Sequence, residues 1–193
     1  MASKKGLVFG FGINDSNYEA GCEPKGKTRI CPFYARWKEM LRRCYSEKYI
    51  LKRPTYIGCT VCDEWLTFSN FKAWMKTQDW KGKALDKDII FAGNKVYSAD
   101  SCVFVDTALN NFMTDRRLFR GKWPLGVDFC IKRGLFRSHC SNVFTGKKEL
   151  LGYFSCPEKA HAAWKKRKHE LSCQLAKLQS DKRVAEALMV RYA

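Results

Sequence analysis

A chain of 193 residues with 46% hydrophobic and 14% aromatic side chains can bury a core in one or two domains, which excludes wholesale disorder. Its net charge of +17 favours a polyanionic partner, nucleic acid ahead of a merely solvated basic face. No run of about 18 apolar residues occurs and the first residues lack a secretory apolar stretch, so no membrane partner is expected.

Charge is distributed unevenly. Basic and acidic residues number 14 and 8 over 1–80, 4 and 5 over 81–115, and 18 and 6 over 116–193. An acid-bearing middle beside a strongly basic C-terminal part fits a metal site held next to a phosphate-binding arm. The ten cysteines, in a chain without a signal peptide, read as reduced thiols of a cytoplasmic protein.

Residues 1–30 hold five glycines and read as an extended arm; Gly10-Phe-Gly-Ile-Asn-Asp lacks the strand–turn–helix setting of a phosphate loop. The spacing of Tyr34, Trp37, Met40, Leu41, Cys44 and Tyr45 predicts a helix over 33–46 with one apolar stripe. Arg42 and Arg43 lie off that stripe and are candidate phosphate contacts. Pro54 to Cys62 predicts a turn into a short β segment. Cys59 and Cys62 have the spacing of half a zinc site, although packing as small hydrophobes is the stronger reading. Trp65, Phe68, Phe71, Trp74 and Met75 form a second helical stripe, with Thr67 or Ser69 as N-cap.

The stretch 85–112 carries the chemistry. Asp86 and Asp88 share a face if they lie on a strand, Gly93-Asn94 suits a bend, and Cys102–Val105 reads as a returning strand. Ala108, Leu109 and Phe112, flanked by Asn110 and Asn111, suggest a short helix. Two carboxylates and an amide are hard oxygen ligands suited to magnesium or manganese; the competing reading is a polar strand edge with Asn94 as a bend residue. Residues 115–123 form a basic connector containing Arg116, Arg117, Arg120 and Lys122.

Beyond it, 124–131 and 135–140 predict a hairpin turning at Lys132-Arg133-Gly134, with Lys147-Lys148 and Leu150 to Phe154 supplying a third strand. Ser155-Cys-Pro-Glu158 reads as a capping box opening a long helix. Leu171, Leu175 and Leu178 form its apolar face, which could pack back on the first domain or on another subunit. Ser180 restarts a short helix carrying Val184, Leu188 and Tyr192. Arg137 and His139 on the second strand, with Lys132, Arg133, Lys147 and Lys148, are candidate DNA contacts. The first strand offers only Asp128 and Cys130 at positions where arginines would read bases, so gripping of the backbone is better supported.

Two resemblances rest on these residues. Asp86-Lys-Asp88, Gly93-Asn94, Tyr97, Cys102, Phe104 and Val105 resemble the divergent HNH nucleases of phage genomes. Arg43-Cys-Tyr45, Tyr56-Ile-Gly58, Val61-Cys62, Trp65, Phe68 and Asn70-Phe71 resemble the region preceding that element. Gly126-Val127, Gly134, Phe136, Leu151-Gly152, Phe154, Glu158, Ala160 and Trp164 resemble an APETALA-type DNA-binding domain. These imply an α+β protein: a helical, aromatic platform bearing a ββα-metal hairpin, then a three-stranded antiparallel sheet plus helix.

The implied organisation is an arm (1–30), an HNH-like domain (31–115), a basic linker (116–123), an APETALA-like domain (124–172) and a helical extension (173–193). The implied activity is metal-dependent nicking or cleavage of double-stranded DNA in an infected bacterial cell, through Asp86, Asp88, Asn94 and Asn111. The usual first-strand histidine is absent, since the three histidines are His139, His161 and His169; Asp88 stands near that place. The alternative is an inactive, nuclease-derived protein that binds DNA or blocks a host or phage protein, with a cysteine-rich zinc adaptor third.

Overall fold

A computed structural model describes residues 6–16, 31–114 and 122–193, and the chain divides into two compact units, 1–107 and 108–193. Helices and strands mix in both, as an α+β reading requires.

In the first unit, α1 (Pro32–Tyr45) is followed by α2 (Glu47–Lys52), β1 (Thr60–Val61), α3 (Asp63–Leu66) and α4 (Phe68–Lys76). The stripe expected on α1 is the one that buries: Trp37, Met40, Leu41 and Cys44 join Trp65, Phe68, Phe71 and Met75 in one core. Trp37 donates its ring N–H to the Trp65 carbonyl at 2.7 Å, so even the indole nitrogen is satisfied inside. Exchanging water for these rings is the main stabilising term of the platform.

The second stripe is not one helix. It breaks at Thr67, whose backbone is extended. The cause is residues 6–16, which dock here: Ile13 donates its N–H to the Leu66 carbonyl, Phe68 donates to the Ile13 carbonyl, and the Asp15 carboxylate accepts from the Ser69 N–H at 3.0 Å. Thr67 occupies the N-cap position of α4 but makes no capping bond with its side chain; Asp15, fifty-four residues before the Ser69 whose N–H it accepts, does that work. The described part of the expected arm is thus a bound segment. Gly12 lies against Trp37 and Leu41, where a Cβ has no room.

β2 (Ala84–Asp86) pairs antiparallel with β4 (Val103–Val105), Leu85 opposite Phe104. Between them β3 (Val96–Tyr97) pairs in parallel with β1. The Gly93-Asn94 bend therefore does not join the paired strands. It closes a four-residue turn, Asn94 N–H to the Phe91 carbonyl at 3.0 Å, with Gly93 at φ +79°.

In the second unit, α5 (Thr107–Met113) precedes β5 (Val127–Cys130), β6 (Leu135–Ser141), β7 (Lys148–Phe154), α6 (Pro157–Ala176) and α7 (Lys182–Val190). The three strands form an antiparallel sheet in chain order, Asp128 opposite Arg137 and Arg137 opposite Tyr153, with a bulge beside Ser138 and His139. Gly134, at φ +63°, ends the short helical turn that joins β5 to β6. Gly126, at φ +76°, is pressed against the Trp164 ring.

The capping box does not form. Cys156, not Ser155, is the N-cap of α6, because the residue before a proline is driven out of the helical region; Cys156 is extended at φ −140°, ψ 155° and Pro157 opens the helix. Of the α6 leucines, Leu171 and Leu175 are buried, whereas Leu178 lies beyond the helix end and is exposed. The buried pair packs on Val184 and Leu188 of α7, and Ser172 Oγ donates to the Leu188 carbonyl at 2.6 Å. Helices α6 and α7 thus pack on one another within the second unit. No described helix is long and apolar enough to cross a membrane.

Candidate functional sites

The first candidate is the turn after β2. Asp86 is the last residue of that strand and Asp88 is already off it, so strand periodicity does not place them side by side. A backbone turn does. Asp86 Oδ1 accepts the N–H groups of Asp88 and Ile89, both at 2.9 Å, an aspartate turn of the kind this side chain favours.

Lys87 points inward, 6% exposed, and donates its ammonium to Asp88 Oδ2 at 3.0 Å and the Asn94 carbonyl at 2.7 Å. Asn94 answers from the other side of the loop. Its amide donates to the Lys87 and Val96 carbonyls at 2.7 Å each, and its oxygen accepts from the Val96 N–H at 3.2 Å. Both polar atoms of that side chain brace the loop. The Asp86 carboxyl is pushed up to about 6, first by burial and then by Asp88 beside it.

These residues fit a divalent ion only in part. Such an ion commonly keeps its waters and takes one or two carboxylates, and Asp86 and Asp88 are the two that could serve. The Lys87 ammonium already supplies positive charge to Asp88. Among the described residues, no group of three or more His, Cys, Asp or Glu is placed to hold a metal. Asn111 lies on α5, within the second compact unit.

The cysteine pair is built for packing. Cys59 is buried and Cys62 half-buried, both as free thiols whose ionisation burial pushes up. Cys44 and Cys102, in the same core, are pushed up to about 12. A protonated, buried thiol behaves as a small apolar side chain.

Arg42 and Arg43 are engaged by the protein itself. Both pair with Glu39, Arg42 lies over the Tyr49 ring at 4.7 Å, and Arg43 lies over Tyr56 at 5.7 Å.

The second candidate is the open face of the three-stranded sheet. Ser138 and Cys140 on β6 are buried toward α6, so the alternate residues Arg137 and His139 face out, joined by Lys148, Glu149, Leu150 and Tyr153 around a cavity of about 220 Å³. Arg137 is held rather than loose: Nε donates to Asp128 Oδ1 at 2.8 Å and Nη2 to Oδ2 at 2.6 Å. The paired guanidinium keeps the Asp128 carboxyl below the usual carboxylate range.

Arg133 stacks its guanidinium over Tyr153 at 4.4 Å, at the end of the same face. Burial and the Lys148 ammonium hold the His139 imidazole below its ordinary value. Lys132, Lys147 and Lys148 are exposed on the sheet's connecting turns and edge strand, and Lys122 is exposed beside Trp123. Glu149 is drawn toward the helix, where Arg167 and Asn142 bind it. Arg116, Arg117 and Arg120 lie outside the described residues.

What the amino-acid pattern hides here is the role of Asp128. As an acid where an arginine is wanted it argues against a reading surface; as a clamp on Arg137, nine residues away in sequence, it argues for one. Its register opposite Arg137 comes from strand pairing centred between Lys132 and Arg133.

Comparison with protein families, curated proteins and solved structures finds no match.

Proposed function

We propose that the protein binds double-stranded DNA through the open face of β5–β6–β7. The observation that carries this reading is Arg137, fixed in orientation by Asp128 on a face that also presents Lys148 and, over the Tyr153 ring, Arg133, with Lys132 and Lys147 exposed on the connecting turns. A pre-oriented guanidinium loses little freedom when it meets a phosphate or a guanine edge. The surrounding ammonium groups supply attraction that is independent of sequence. The net charge of +17 acts in the same direction. A gel shift with a 20–30 base-pair duplex, over a salt series, tests it: binding that weakens steeply with salt and is reduced by Arg137→Ala supports the proposal, and equal binding by wild type and variant refutes it.

A second reading, metal-dependent nicking of the bound duplex, has one observation in its favour. Asp86 and Asp88 are held close enough that burial and mutual repulsion raise the Asp86 carboxyl to about 6, and a divalent cation relieves such a pair. The resemblance to divergent HNH nucleases supports the same reading, whereas the bracing bonds of Asn94 and the Lys87 ammonium favour a turn kept for its structure. Supercoiled plasmid with magnesium or manganese separates them. Nicking by wild type and not by Asp88→Ala establishes cleavage; intact supercoil together with a gel shift leaves the protein a binder.

A further inference from the structure

Within the second unit a cavity of about 400 Å³ lies between α5, α6 and the end of α7. The rings of Phe112, Trp164 and Tyr192 and the His161 imidazole line it, together with three cations, Lys165, Lys168 and Arg191. Among the described residues no carboxylate does.

Lys168 is the unusual member. Its ammonium sits 3.3 Å from the centre of the Phe112 ring and 5.5 Å from that of Tyr192, and no described carboxylate pairs with it. One position earlier on the helix, Arg167 is neutralised twice, by Glu149 and Glu170. Charge on this helix is therefore balanced on one side and left standing in the cavity on the other. The rings are also ordered among themselves: Tyr192 meets Phe112 and Trp164 edge-on at 6.0 Å each, and Trp164 stacks on His161.

A space of this size suits a small molecule rather than a chain segment. Aromatic walls accept a planar ring or a sugar face, and convergent ammonium and guanidinium groups accept phosphate. A cationic or neutral ligand would leave the three cations without counter-charge. We propose that this cavity binds a phosphorylated nucleoside, with its ring against the aromatic wall and its phosphate on Lys168 and Arg191. The site is separate from the sheet face and does not depend on duplex binding there. Burial pushes the Lys168 ammonium down to about 8, so it is still charged at pH 7.

Two sources share this chemistry, a free mononucleotide and a nucleotide at a DNA strand end. Calorimetry on the full chain at pH 7 and low salt, with dAMP, deoxyadenosine, inorganic phosphate and a 5′-phosphorylated tetranucleotide, tests the proposal. One dAMP should bind per chain, at least tenfold tighter than either deoxyadenosine or phosphate. Tighter binding of the tetranucleotide than of dAMP identifies the strand end as the source, and equal or weaker binding identifies the free nucleotide.

Lys168→Met and Arg191→Gln should each weaken dAMP binding tenfold or more while leaving the duplex gel shift unchanged; the second keeps the test valid if the first destabilises the unit. Arg137→Ala should do the reverse, so failure of this site and failure of the sheet face are told apart. No binding of dAMP, phosphate bound as well as dAMP, or dAMP affinity unchanged in both variants overturns the proposal.

Discussion

Arg137 and Asp128 face each other across neighbouring strands, joined by two parallel hydrogen bonds of 2.8 and 2.6 Å. The pair is part-exposed, so its worth lies in orientation more than in stability. Arg137→Ala should reduce duplex affinity about tenfold, within the range of one good arginine contact, with little change in melting temperature. Asp128→Ala keeps the arginine but frees it. Its affinity should fall less than that of Arg137→Ala while discrimination between duplex sequences narrows, which gel shifts against a panel of duplexes would reveal.

The Asp86 carboxyl provides a pH signature. Its folded value, about 6, lies above the unfolded value near 3.8, so the native state binds the proton more tightly. The stability it contributes is present below the unfolded value and is lost as pH rises through 6. Asp86→Asn keeps an oxygen to accept the Asp88 and Ile89 N–H groups and removes the repulsion. It should stabilise the protein by about 1–2 kcal/mol at pH 7–8, and the loss of stability between pH 4 and 6 should flatten. Urea unfolding at pH 4, 6 and 8 measures both. A destabilised Asp86→Asn at pH 7 would show that the charge itself holds the turn.

Asn94 joins two ends of one loop with three side-chain hydrogen bonds. Asn94→Ala leaves the Lys87 and Val96 carbonyls short of a donor and should cost about 1–3 kcal/mol, the penalty for unsatisfied groups of this kind. Asn94→Asp restores the acceptor but not the two donors, and should recover only part of that loss in the same denaturant titration. Equal stability of all three proteins would remove the bracing role.

Gly12 tests the docking of the N-terminal segment. A methyl group there meets Trp37 and Leu41, both fully buried. Gly12→Ala should destabilise by about 1–3 kcal/mol, as overpacking does, or expel the segment. In the second case the Ser69 N–H loses its Asp15 cap, and hydrogen exchange at the start of α4 should quicken.

Much of the fold was legible from local chemistry. The apolar stripe of α1, the hairpin around Gly134, the third strand after Lys148 and the proline-led start of α6 each depend on residues within a turn or two of one another. Periodicity and turn preference read such relations directly. The errors have the same origin, since a capping box at Ser155 and an unbroken second stripe are correct as local patterns. The first fails because Pro157 constrains Cys156, the second because Ile13 and Asp15 take backbone groups at residues 66–69.

The residues of both candidate sites could be named from the chain, but not their tasks. Composition and order alone determined that the protein is basic and mixed α+β, and that its basic residues gather toward the C-terminal part. Whether an acid clamps an arginine, as Asp128 does, or caps a turn, as Asp86 does, was decided by folding. So was the gathering of Lys168, Arg191 and three rings from separate helices around one cavity. Side-chain pairing depends on distances of about 3 Å through space, and residues far apart along a chain acquire those distances only when the core closes around them.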